Sequence, residues 1–231
     1  MQEALLTQTI YFEIGPLAFS QSLVTSLTLT ILLVLLAASL THHLLITPTK
    51  LQSMAEAIMG VIENAINEVL PQYSRQVLPF IATLWLFLLF ANLVGLIPGL
   101  QSPTRDLSIT AALAILVFFS VHWFGIRSQG LANYLRHYLK PNPLLLPFHL
   151  ISEFTRTVAL AIRLFGNMMS LEIAALLVLL VAGFLAPIPI LMLHIIEALV
   201  QAYIFGMLAL VYVAGSIQSQ IISRKHSMTR A

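Results

Sequence analysis

Apolar positions along this chain come in long runs of two kinds. No Asp, Glu, Lys or Arg stands between Glu13 and Lys50. A helix needs about 20 apolar residues to cross a bilayer, and residues 19–45 supply them, with Pro48 marking the end. Residues 49–70 differ: Leu51, Met54, Ile58, Val61, Ile62, Ile66, Val69 and Leu70 recur at helical spacing, while Glu56, Glu63, Asn64, Asn67 and Glu68 fall elsewhere on the wheel. That pattern predicts an amphipathic helix on the membrane surface or on a partner, stopped by Pro71. Further crossings are predicted over 76–97 and 107–126. The first closes on Asn92-Leu93-Val94-Gly95-Leu96-Ile97-Pro98-Gly99, a helix stop followed by a turn. A polar loop with Ser102, Pro103, Arg105 and Asp106 comes next. Over 144–184 and 188–222 the helical pattern outlasts one bilayer width, interrupted by Gly183, Pro187 and Pro189. Helices of that length must tilt or run past the hydrocarbon.

Composition agrees. Hydrophobic residues make up 59% of the 231 and charged residues 9%, against about 25% charged in soluble domains. Surface falls too slowly with mass for a soluble fold of this size to hide so much apolar area. The expected fold is therefore an all-α integral membrane protein, one membrane domain over 1–231. It has about five crossing helices, one amphipathic surface helix, and a long tilted hairpin at the end. There is no cysteine, so disulfides and thiolate metal sites are excluded. The N-terminus has no basic region before its apolar segment and does not read as a cleaved signal.

Charge sets the expected orientation. With five spans, Lys50, Arg75, Arg127, Arg136, Lys140, Arg224, Lys225 and Arg230 fall on one side and Arg105 alone on the other. The positive-inside rule then puts the C-terminus in the cytoplasm and the N-terminus outside. The basic residues are scattered, which argues against a nucleic-acid partner. The basic loop 127–140 reads as an orientation signal or docking surface.

The long hairpin is where polar chemistry enters the apolar runs. Segment 144–184 carries Glu153, Arg156, Arg163, Asn167, Ser170 and Glu172; segment 188–222 carries His194, Glu197 and Gln201. No Asp or Glu lies within eight residues of Arg163. A charge at mid-bilayer costs at least ~2.5–3.5 kcal/mol, so these groups must face one another, water or a partner. Arg156, Arg163 and Asn167 share a helical face, as do His194, Glu197 and Gln201. A turn near 182–183 would pair Arg163 with Gln201, Asn167 with Glu197, and Glu172 with His194. Nine residues from Arg163, Glu172 should point to the opposite side of an ideal helix, so it either follows a bend or opens onto another cavity. It lies about 13 Å from Arg163 along the helix.

Arg163-Leu164-Phe165-Gly166-Asn167 with Glu172, then His194 and Gln201-Ala202-Tyr203-Ile204-Phe205, resembles subunit a of the F-type ATP synthases, bacterial type. So does Asn92-Leu93-Val94-Gly95-Leu96-Ile97-Pro98, and the resemblance covers nearly the whole chain. It implies a stationary subunit beside a rotating ring of c subunits, with b subunits of a peripheral stalk and the rest of the complex as further partners. Two offset half-channels would carry protons, or in some members sodium ions. Arg163 matches the family's essential arginine, and Asn167, Glu172, His194 and Gln201 match polar positions near it or lining the channel. The run Glu153 to Arg156 is similar to bacterial and chloroplast relatives. Glu197 receives no essential role, because many relatives carry an acid elsewhere on that helix. The implied location is the bacterial inner membrane, multi-pass, with no cofactor and no catalysis by this chain alone.

Plainer readings stand beside these. Glu172 and His194 could neutralise each other as a packing pair. Asn167 and Gln201 could be interhelical glue. Glu153 and Arg156 could be only an interfacial ion pair or snorkelling residues. His42, His43, His122, His137, His149 and His226 read as interface histidines near helix ends. No acid or histidine cluster has metal-ligand spacing. Two other functions remain possible on sequence alone: a secondary transporter binding an anionic solute at Arg163, and a non-transporting scaffold.

Overall fold

The computed structural model describes residues 10–14, 17–42, 49–97, 100–131, 134, 146–183, 186 and 188–228. Its helices are α1 (Gln21–His42), α2 (Lys50–Val69), α3 (Ser74–Val94), α4 (Leu107–Gln129), α5 (Leu146–Ala182) and α6 (Ile188–Met228). Five of these are long and apolar enough to cross a membrane, and the chain is an all-helical, multi-pass membrane protein in its main architecture. Pro48, Pro98, Pro187, His43, Arg136, His137, Lys140 and Arg230 lie outside the described residues, as do the side chains of His149, Arg224, Lys225 and His226.

One element was not expected. Strands β1 (Ile10–Ile14) and β2 (Leu17–Ser20) form an antiparallel hairpin, with Glu13 opposite Ala18 and Ile14 opposite Leu17. The first helix starts directly after it.

Helix α2 divides its apolar residues. Ile62 and Ile66 are buried, whereas Leu51, Met54, Ile58 and Val61 form an exposed line. That line suits an apolar surface outside the chain. At about 1.5 Å per residue, the 37 residues of α5 and the 41 of α6 are far longer than the ~30 Å hydrocarbon core. Helix α5 ends at Gly183, whose φ of 84° is left-handed backbone that a Cβ would strain.

The chain forms two compact units. One comprises Met1–Met54, Leu86–Thr110 and Leu164–Ala202; the other comprises Ala55–Trp85, Ala111–Arg163 and Tyr203–Ala231. In the first, α1 packs on a short 3-10 turn, Pro103–Arg105, and buries Gln21, Ser22 and Leu29. In the second, α3 and α6 approach closely through a glycine: a Cβ on Gly206 would collide with the indole of Trp85. That indole donates Nε1–H to the carbonyl of Tyr203 at 3.2 Å and stacks on the Tyr203 ring at 5.8 Å. A small residue here admits the large ring, the usual solution where helices pack without water to drive them together. Ser216 of α6 donates to the Val121 carbonyl of α4 at 3.1 Å.

Candidate functional site

The polar residues of the hairpin are distributed between the two units, and each group is built from several helices. In the first unit the centre is Asn92, fully buried at the end of α3. Its Nδ2 donates to the Ala198 carbonyl at 3.4 Å, and its Oδ1 accepts from Thr104 Oγ1 at 2.8 Å. Thr104 in turn contacts Ser102 Oγ at 2.7 Å, and Ser102 donates to the Ala91 carbonyl at 2.9 Å. The loop before α4 is thereby fixed to α3 by side chains that would otherwise be stranded without water.

His194 is buried, and its Nε2 lies 3.2 Å from the Asn92 carbonyl. A carbonyl only accepts, so Nε2 carries hydrogen there. Glu197, one turn on, stands within electrostatic reach of His194.

Glu172 does not pair with His194. Its Oε2 lies 2.7 Å from Nη1 of Arg105, the cation at the end of the 3-10 turn. The side chain turns toward the 3-10 turn rather than toward His194. Gly95 lies beside this wall: a Cβ there would sit 3.1 Å from the Cβ of Ser102, a tight approach, and 3.5 Å from Glu172 Oε1, an ordinary contact.

Asn167 does not pair with Glu197 either. Its Nδ2 donates to Oε1 of Gln201 at 2.7 Å. Gln201 lies one turn beyond Glu197, so the register between the helices is offset by that turn. The cause is the connection. Helix α5 runs to Ala182 and α6 begins only at Ile188, which moves the midpoint past the expected turn at 182–183. Gln201 is buried, and its Nε2 has no partner among the described residues. Ser170 returns its hydroxyl to the carbonyl of Asn167 at 3.0 Å.

In the second unit Arg163 is exposed. Among the described residues, the ion pairs are Arg105 with Glu172 and His122 with Glu153, and Arg163 joins neither. Its neighbour Ile162 is exposed too, as are Phe154 and Val158. Glu153 and Arg156, read as either an interfacial ion pair or snorkelling residues, do not pair with each other. Glu153 Oε2 lies 3.6 Å from His122 Nε2, and the Arg156 guanidinium lies 5.2 Å over the Tyr212 ring. No group of three or more His, Cys, Asp or Glu suited to a metal ion occurs among the described residues.

The residues missed by sequence reasoning are Arg105, Asn92 as a hub, and His122. Arg105 did carry a signal: it was the lone cation on its side of the predicted topology. His122 carried none.

Comparison with known proteins follows the same residues. The family model described as ATP synthase A chain matches residues 22–214. ATP synthase subunit a 1 of Hahella chejuensis is 59% identical over 222 residues, covering 96% of this chain and 94% of that one. ATP synthase subunit a 2 of Pelobacter propionicus is 61% identical over 213 residues, covering 92% and 93%. ATP synthase subunit a of Legionella pneumophila, strain Philadelphia 1, is 57% identical over 209 residues, covering 90% and 91%. The match spans α1 and runs through the Arg163 and Gln201 segments into the later part of α6, so the chain belongs to the ATP synthase A chain family, whose members are membrane-sector subunits of ATP synthase.

Proposed function

We propose that the chain is the stationary ion-translocating subunit of a rotary ATP synthase, standing beside a ring of c subunits and held by b subunits of the peripheral stalk. Two offset half-channels lead ions to and from the ring, in a bacterial inner membrane with the N-terminus outside and the C-terminus cytoplasmic. Asn167, Glu172, His194, Glu197 and Gln201 belong to the outer path, with Ser170 beside them. Glu153 and Arg156 belong to the cytoplasmic path.

The observation that carries this reading is the state of Arg163. It is exposed on an apolar helix and takes part in neither ion pair found among the described residues. A guanidinium keeps its charge where an ammonium would lose it. In lipid it therefore requires an anion from elsewhere. A rotor carboxylate that passes Arg163 is kept in its charged form by the opposite charge. A protonated carboxyl arriving there is driven to give up its proton, so ions cannot leak straight from one half-channel to the other. The membrane potential contributes about 2.3 kcal/mol per charge per 100 mV. The buried Nε2 of Gln201, which has no partner among the described residues, supports a wet neighbourhood on the outer path, since such donors find water or a partner.

The test is Arg163→Ala in the assembled complex, reconstituted in vesicles. Coupled ion flow and ATP synthesis are expected to disappear while assembly survives. Normal synthesis would reject the reading, and saturable uptake of an anionic solute by the chain alone would replace it with a transporter.

A further inference from the structure

In the second unit, the early part of α3 and the later part of α4 lie side by side. The rings of Phe80 and Phe124 meet there at 5.9 Å. The contact joins the start of α3 to the end of α4, and the end of α3 is tied to the loop before α4, so the two helices run in opposite directions. In such a pair, the residues just before Phe80 and just before Phe124 fall on the same side. These are Pro79 and Trp123, and both are exposed. The opposite side is buried, by Val77 and Ile81 on α3 and by Val117 and Val121 on α4.

The exposed side carries a cation from each helix. Arg75 lies five residues before Phe80 and one turn from Pro79; Arg127 lies three residues after Phe124 and one turn from Trp123. At about 1.5 Å per residue, they stand roughly 7.5 and 4.5 Å from the ring contact, toward the same end of the pair. Helices in contact are about 8–10 Å apart, so two long arginine stems from this face reach one phosphate between them. Both arginines are exposed, and neither takes part in the ion pairs found among the described residues. The helix dipole accounts for Arg127, in the last turn of α4, but it works against Arg75, in the first turn of α3. Two like charges on one face call for an anion.

Below the cations the face changes in the order of a lipid molecule. Trp123, 64% exposed, comes one turn deeper than Arg127, with an indole N–H suited to the boundary between headgroups and hydrocarbon. Phe119, one turn deeper again, and Leu116 are exposed and purely apolar. We propose that this face of α3 and α4 is a binding site for an anionic phospholipid. Arg75 and Arg127 hold the phosphate, which guanidinium matches in shape and charge. Trp123 stands at the level of the ester groups, and Phe119 and Leu116 lie against an acyl chain. A free phosphate would leave the aromatic and apolar part of the face without a use.

The experiment uses the assembled complex in liposomes that contain a photoreactive phosphatidylglycerol or a photoreactive phosphatidylcholine, each with the reactive group on the acyl chain near the glycerol. Label on this chain is mapped to its residues. Phosphatidylglycerol should label residues 116–127 about tenfold more than phosphatidylcholine, the effect of one charge-assisted hydrogen bond. Replacing Arg75 and Arg127 together by Gln should abolish that excess, and replacing both by Lys should keep most of it. Lys50→Gln, which removes an exposed cation from α2, should leave it unchanged. Equal labelling by the two lipids in the wild type, which needs no variant to fold, overturns the site. So does an excess that survives the double Gln change, or one lost equally in Lys50→Gln, which would make the attraction a property of total charge. Loss of the excess on adding inorganic phosphate would assign the arginines to a soluble anion instead. Absence of label from either lipid, with these residues crosslinked to another subunit, would assign the face to a protein.

Discussion

Nη1 of Arg105 and Oε2 of Glu172 lie 2.7 Å apart, joining the 3-10 turn before α4 to the later part of α5 across 67 residues of sequence. Both side chains are mostly shielded, at 22% and 15% exposure. A hydrogen bond to a charged group contributes about 1.5–3 kcal/mol. Arg105→Ala and Glu172→Gln should each lower the thermal midpoint of the purified complex. A double-mutant cycle should return a coupling of about 1–3 kcal/mol; a coupling near zero would mean that the pair is not made in the membrane.

A second prediction concerns the bond between Asn167 and Gln201. Asn167→Ala leaves Gln201 with neither amide group satisfied among the described residues, and it should destabilise by about 1–3 kcal/mol. Replacing both residues by leucine removes the stranded groups. That double variant should recover most of the stability while ion flow stays impaired. Recovery of both would reduce the pair to packing.

Gly206 gives a third test, free of any functional premise. Gly206→Ala would gain helix propensity in isolation, but its methyl collides with Trp85. Overpacking of this kind costs about 1–3 kcal/mol. Thermal unfolding should show a loss of stability in Gly206→Ala that largely disappears when Trp85 is also replaced by Leu.

The exposed line on α2 gives a fourth. Ile58→Glu places a charge between Met54 and Val61 without touching the buried Ile62 and Ile66. Isolated folding should be little changed. Retention of the chain in the membrane-bound complex, measured after extraction in mild detergent, should fall. Full retention would show that this line meets only solvent.

The fold class was legible because its signal is local. Uncharged runs long enough to span lipid announce themselves, and the surface helix announces itself by charges confined to part of its wheel. The β1–β2 hairpin was less visible, although Gly15-Pro16 is a breaker pair between short apolar stretches. The residue types of the candidate site were legible for a different reason: charged and amide side chains in an apolar helix have few uses. Their partners were not. Pairing across a hairpin depends on where the turn falls, and the stretch between Ala182 and Ile188 shifted the register by a helical turn. Arg105 sits in a loop, where no periodicity says which way a side chain points. His122 met Glu153 because two helices with no contact in sequence pack together there.

The central claim is that Arg163 reserves its charge for an anion on another polypeptide. The most direct measurement is a high-resolution structure of the assembled enzyme in lipid, read at that guanidinium. The account predicts a ring carboxylate passing opposite Arg163, and no carboxylate of this chain within about 4 Å, the reach of an ion pair. A guanidinium held by an acid of its own chain, with no ring beside it, would contradict the account.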